Sequence, residues 1–197
     1  MSDTLSDSAL DLIFRDARSY NGWLDKDVSR EQIEAIYDLM KMGPTSANQQ
    51  PGRFVWVTTP EAKQRLADCA DEGNKEKILG APATVIIGYD LDFHEQLPWL
   101  FPHTDAKSWF EGKVEGRKES AFRNSVLQGA YLMIAARALG LDCGPMSGFD
   151  PEKTTKEFFA DQPRYTADWL CAIGYGDPDS IFDRSPRPEF DTFNKVI

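Results

Sequence analysis

From Ala121 to Leu139 the chain follows a helical pattern that is apolar on more than one face before Gly140 ends it. A helix of that kind has to be covered on most of its sides. A chain of 197 residues has roughly one core to do so, which predicts a subunit interface along the helix and a single domain spanning 1–197. The most apolar part, Tyr131 to Leu141, is interrupted by Arg137 and is too short to cross a bilayer.

The flanking elements read clearly. Leu10, Ile13, Phe14 and Ala17 predict a first helix ending near Ser19, at the turn signal Tyr20-Asn21-Gly22. Ser29 with Gln32 forms a capping box, and Ile33, Ile36, Tyr37 and Met40 carry one apolar face on to Gly43. Phe54 to Thr58 reads as a buried strand, Thr59-Pro60 as an N-cap with proline at the first helical position, and Thr84 to Tyr89 as a second strand. Asp142 to Asp150 reads as a turn-rich loop leading into a short helix near Pro151. Asp168 to Tyr175 reads as a third strand, followed by a tail without helical pattern that carries Arg184 and Arg187 between prolines. The segment 91–116, with His94, His103, Trp99, Phe101, Trp109 and Phe110, breaks the rhythm and is expected to be a lid.

Composition removes several classes of function. A formal net charge of -10 disfavours nucleic acid and anionic membrane surfaces as partners. Cys69, Cys143 and Cys171 are widely spaced and odd in number, which suits a reduced interior. Met1 to Ser8 is polar and acidic without the plan of a secretory signal, so a cytoplasmic protein is expected. There is no GxGxxG, GxxxxGK or GxSxG motif. His94-Glu95 lacks the second histidine of a zinc helix, so no metal is expected.

Gly43-Pro44-Thr45-Ser46-Ala47-Asn48-Gln49-Gln50-Pro51-Gly52-Arg53 stands out instead. It packs hydrogen-bonding side chains between two prolines that restrict the backbone, as a preformed wall for a flat, polar-edged ligand such as an isoalloxazine ring. Arg18 and Ser19 at the end of the first helix, with Arg184 and Arg187 in the stiffened tail, are candidate phosphate binders. Taken singly, each arginine reads first as a solvated surface charge.

Together these residues resemble the ordered motifs of the FMN-dependent nitroreductases: Arg18-Ser19 before Trp23, Pro44 to Pro51, Leu139-Gly140-Leu141-Asp142 running into Pro145 to Asp150, and finally Arg187. Within that superfamily the chain is most similar to the malonic semialdehyde reductases of the pyrimidine-utilisation pathway. The narrower match is carried by Asn21-Gly22-Trp23, Leu97 to His103, Ser108-Trp109-Phe110, Ala121 to Ser125 and Gly144 to Asp150. The resemblance implies an α+β fold with a central mixed or antiparallel sheet flanked by helices, in an intertwined homodimer with FMN at the interface. It implies that Arg18, Ser19, Asn21, Arg184 and Arg187 serve the phosphate and ribityl chain, and that Ser46, Asn48 and Gln50 serve the ring. Pro145, Met146, Ser147 and Gly148 would cover one ring face and offer a backbone N–H to N5. NADH or NADPH would deliver hydride, and no side chain need act as acid, although His103 is a candidate proton donor.

The implied activity is reduction of malonic semialdehyde to 3-hydroxypropanoate. A broad nitro, quinone or enone reductase is the alternative, and a non-catalytic flavin carrier or sensor is the alternative outside enzymes. An acidic protein-interaction domain is a weaker one. The chain departs from the common pattern at Ala17 and Asn21, where a basic residue is usual, and at Ser147, which replaces an acidic one. Arg123 could meet a substrate carboxylate or pair with Glu119.

Overall fold

The computed structural model describes residues 4–197. The first helical stretch is shorter than its apolar spacing predicts. One turn of α1 (Asp7–Leu10) widens into a π-helical turn, Asp11–Arg15, closed by Asp16 N–H donating to Asp11 O at 2.8 Å. The chain then straightens, and Tyr20 N–H donates to Cys143 O, so Ser19 and Tyr20 lie along a sheet edge rather than in a helix. The Ser29–Gln32 capping box forms as read and starts α2 (Arg30–Met40). After the polar segment come β1 (Gly52–Val57), α3 (Pro60–Ala67), capped by the Thr59 side chain, α4 (Glu72–Gly80) and β2 (Ala83–Asp90).

The segment 91–116 holds a 3₁₀ turn, Phe93–Gln96, then α5 (Leu97–Leu100) and a second 3₁₀ turn, Lys107–Trp109. Its end is already helical, because α6 (Val114–Ala138) begins seven residues before the apolar pattern does. Then follow β3 (Asp142–Met146), α7 (Pro151–Phe158), β4 (Tyr165–Gly174) and a short α8 (Phe190–Phe193) in the tail.

The sheet order is β1-β2-β4-β3, and all three pairings are antiparallel. Every residue of β2 is buried, as a central strand covered on both faces requires. On one face Leu66, Ile78 and Phe159 pack against Ile86 and Leu170; on the other Ile36, Met40, Leu132 and Ala136 pack against Val85, Ile87 and Ile173. A third cluster, Phe93, Leu97, Ala106, Tyr89 and Ala121, ties the inner half of the 91–116 segment to the domain, while Trp99 and Trp109 stay exposed. Part of the loop expected at Asp142–Asp150 is therefore a strand. Its proline is tolerated because β3 lies at the sheet edge, where a missing N–H breaks no ladder on the open side.

α6 is turned the opposite way from a surface helix. Its buried face carries Ala121, Asn124, Ser125, Gln128, Gly129, Leu132, Ala135 and Ala136, whereas Phe122, Val126, Leu127 and Tyr131 are 38% to 47% exposed. The inner face is small because β4 lies close: a Cβ on Gly129 would stand 2.1 Å from the Trp169 ring. No helix among the described residues is long and apolar enough to cross a membrane.

Candidate functional site

Four places in the fold gather the residues singled out above. The first is a cavity of about 560 Å³ lined by Arg15, Arg18, Ser19, Arg137, Arg184 and Arg187, with Phe14, Ala17, Phe182 and Ser185; Asp183 is the one acidic member. The guanidinium groups converge from the π-helical turn, the end of α6 and the tail. Arg18 donates to Phe182 O, Arg184 donates to Ala17 O at 3.3 Å, and Arg187 turns back onto Ser185 O and Pro186 O, so the tail is laid across the N-terminal segment. Arg137 Nε is closed off from solvent with no hydrogen-bond partner, and its Nη1 reaches Ile13 O only at 3.4 Å. So strong a cationic excess with a buried unpaired donor suits a dianion. Asn21 lies outside this cavity; its amide latches the tail through Ser180 O at 3.1 Å.

The second place is the Pro44–Pro51 loop. Ala47, Asn48 and Gln50 adopt positive φ (49°, 48° and 42°), a left-handed conformation held by surrounding contacts. Ser46 N–H donates to Asn124 Oδ1 at 2.8 Å, Gln128 Nε2 donates to Gln50 Oε1 at 2.7 Å, and Gly52 N–H donates to Gln128 Oε1 at 2.7 Å. Gln50 Nε2 donates to Asn48 Oδ1, and Asn48 Nδ2 to Leu100 O. The amides Asn124 and Gln128, four apart on the inner face of α6, hold this ledge. It borders a cavity of about 400 Å³ that Trp99 and Leu100 also line.

The third is the turn after β3. Gly148 O accepts from Asp71 N–H and Asn74 Nδ2, while Gly148 N–H makes no hydrogen bond among the described residues. Lys77 is buried against β3, its Cε 2.6 Å from where a Gly144 Cβ would stand, and burial lowers its pKa. The fourth is a cavity of about 440 Å³ between α6 and this turn, lined by Pro145, Met146, Ser147, Asp168, Trp169 and apolar α6 residues.

His103 is exposed and packs edge-on against Phe101, 5.0 Å between ring centroids. His94 is buried, and burial with the Arg117 charge lowers its pKa. Arg123 pairs with Glu119, the plainer of its two sequence readings. The sequence reading passed over Arg15, Asn74, Lys77 and the amides Asn124 and Gln128, and took Arg137 only as an interruption of an apolar run. The signal for Arg137 was that very interruption, a charge in the most apolar stretch of the chain. Asn124 and Gln128 share a helical face with Leu132 and Ala135, a buried polar pattern that an apolar scan does not register.

Comparison with known proteins agrees with this architecture. The nitroreductase family model matches residues 15–177. A Stenotrophomonas maltophilia protein, whose name assigns it as an NADH dehydrogenase/NAD(P)H nitroreductase, is 57% identical over 196 residues, covering 100% of both chains. Among solved structures, an Exiguobacterium sibiricum protein assigned as a nitroreductase and crystallised with FMN superposes with TM-score 0.85 at 21% identity, covering 100% of both chains. A Staphylococcus epidermidis protein assigned as an NAD(P)H:FMN oxidoreductase superposes with TM-score 0.84 at 22% identity, again over 100% of both. The sequence match through the whole chain, on a fold shared with those structures, makes this protein a member of the nitroreductase family, a family of oxidoreductases.

Proposed function

We propose that this chain is a homodimeric FMN-dependent NAD(P)H oxidoreductase, and that its acceptor is malonic semialdehyde, reduced to 3-hydroxypropanoate. The observation that carries the flavin reading is the arginine cavity, and the residues there fit the group. Arg137 Nε lacks a partner, and although Arg15 is held by Asp7 and Asp11, Arg18, Arg184 and Arg187 have no carboxylate partner among the described residues, so a phosphate monoester would satisfy donors the protein leaves open. Arg15, Arg18, Arg137, Arg184 and Arg187 would hold the phosphate, and Ser19 the start of the ribityl chain.

Asn48 and Gln50 present amides suited to the polar edge of the ring. Bound FMN would supply hydride acceptance from the nicotinamide and hydride donation to the acceptor. The free Gly148 N–H, its carbonyl pinned by Asp71 and Asn74, would donate to a ring nitrogen as charge accumulates there. Arginine cavity, amide ledge and turn line separate cavities of one chain, and α6 leaves Phe122, Val126, Leu127 and Tyr131 uncovered. A second copy covering α6 would bring the ledge of one protomer toward the arginines of its partner. Trp99 and Trp109, the exposed aromatics of the 91–116 segment, would shield the site from water as a lid.

The aldehyde assignment is supported by the Leu97–His103 and Gly144–Asp150 motifs. The name borne by the 57% identical relative supports a second reading, reduction of nitro compounds or quinones. Anaerobic stopped-flow decides. FMN-loaded protein should bleach with NADPH or NADH and recover its absorbance on mixing with malonic semialdehyde. Recovery only with a quinone or nitroaromatic would reject the aldehyde, and bleaching with no recovery by any acceptor would indicate a flavin carrier.

A further inference from the structure

The β2–β4 ladder slips at one point: Ile87 pairs with Trp169 but Gly88 with Ala167, so Asp168 is the extra, unpaired residue of a β-bulge. Bulges re-aim side chains, and here the consequence is visible. Neighbours on a regular strand point to opposite faces, yet Asp168 and Trp169 both line the cavity between α6 and the Pro145–Ser147 turn. Both bring an unsatisfied group. Asp168 Oδ2 and Trp169 Nε1 are shut off from solvent and have no hydrogen-bond partner.

Nothing else in the lining ionises. α6 contributes Phe122, Val126, Ala130 and Met133, and the turn contributes Pro145, Met146 and Ser147. The titratable group of β2 that feels Asp168 is the Tyr89 phenol, itself pushed up by burial. A lone carboxyl in so apolar a surrounding is pushed up to about 6 by burial, within reach of neutral pH.

We propose that Asp168 is the proton donor of the acceptor half-reaction. This rests on the flavin reading above, in which Pro145–Ser147 covers one face of the ring. Hydride adds to the carbonyl carbon of the acceptor and the C=O π pair moves onto oxygen. The Asp168 O–H bond breaks, its proton forms the new O–H of the alcohol, and the carboxylate regains a proton from water before the next turnover. His103, exposed in the 91–116 segment, is then not required.

The test compares FMN-loaded wild type with Asp168→Asn and Asp168→Glu. In Asp168→Asn, NADPH should reduce the flavin at the wild-type rate, and ferricyanide, which takes electrons without protons, should reoxidise it normally. Reoxidation by malonic semialdehyde should fall on the order of 100-fold, the scale of general acid catalysis, and lose its decline above about pH 6. Asp168→Glu should restore much of the rate together with the pH limb. In the apoprotein, tryptophan fluorescence should titrate near pH 6 in wild type and not in Asp168→Asn. Undiminished aldehyde turnover or a retained pH limb in Asp168→Asn, or no such fluorescence transition in wild type, would overturn the proposal. Failure of NADPH and NADH to bleach wild type would instead sink the flavin reading, and the proton donor with it.

Discussion

Arg137 makes an unusual demand on the apoprotein. Its Nε is buried without a partner, and its one hydrogen bond, to Ile13 O, is long at 3.4 Å. An unsatisfied buried N–H costs about 1–3 kcal/mol, whereas a charged hydrogen bond to a phosphate contributes about 1.5–3 kcal/mol. Arg137→Met keeps the apolar stem at the end of α6 and removes the guanidinium, so two opposite effects should separate. FMN affinity should drop by roughly 10- to 150-fold, at about 1.4 kcal/mol per decade. The apoprotein should be as stable as wild type or more so, each kcal/mol raising Tm by about 2–4 °C in a chain of this size. FMN fluorescence quenching on titration into apoprotein reads the first, and calorimetry without FMN reads the second. Arg187 supplies the contrast, because its guanidinium is exposed and bonds only to neighbouring carbonyls. Arg187→Ala should weaken FMN by about 1.5–3 kcal/mol with no gain in apo stability. Unchanged FMN affinity in Arg137→Met would refute the assignment of the cavity to phosphate, whatever its Tm.

Two other outcomes follow from the same geometry. Wholly burying a large apolar side chain contributes about 1.5–3 kcal/mol, so covering the exposed 38–47% of Phe122, Val126, Leu127 and Tyr131 amounts to about 1 kcal/mol each. Val126→Asp with Leu127→Asp should yield a monomer in sedimentation that no longer binds FMN, and a double variant that remains dimeric would place the interface elsewhere. Asp168, raised from 3.8 to about 6, keeps its proton in the folded state over a range where the unfolded chain has lost it, so stability falls as pH rises through that range and levels off above it. The full shift corresponds to about 3 kcal/mol, and partial exposure reduces that to about 1–2 kcal/mol. Urea unfolding of apo Asp168→Asn should gain that much on wild type between pH 4 and pH 7.5, and a constant difference would show Asp168 to be unperturbed.

Local chemistry was legible in the sequence where it acts over a few residues. Ser29 and Gln32 close their capping box, Thr59 caps α3 ahead of Pro60, and the apolar runs at Phe54 and Thr84 are the strands they resemble. Legibility failed where tertiary contact overrides local signal. Gly144-Pro145 reads as a turn, yet an edge position lets it pair with β4. α4 fully buries only Lys77 and Ile78, too little for a periodic pattern to reveal it. The charged start of α6, Glu115 to Glu119, hid seven residues of helix. Arg18 and Arg184 could be suspected singly, but their meeting with Arg15 and Arg137 depends on a tail folding back over more than 160 residues of chain. The bulge at Asp168 has no local mark, because a one-residue slip is set by the partner strand.

α6 unites these separate findings. Its inner face must be small, since Gly129 lies against Trp169, and must be polar where Asn124 and Gln128 hold the Ser46–Gly52 ledge in its left-handed conformation. A helix given over to those tasks inside has only its outer face left for large apolar side chains, and the isolated protomer leaves them in water. The same helix ends at Arg137 in the arginine cavity and walls the cavity that holds Asp168. Its inner face thus orders the ledge within a single protomer, so a second copy covering the outer face would meet binding residues that α6 already holds in place.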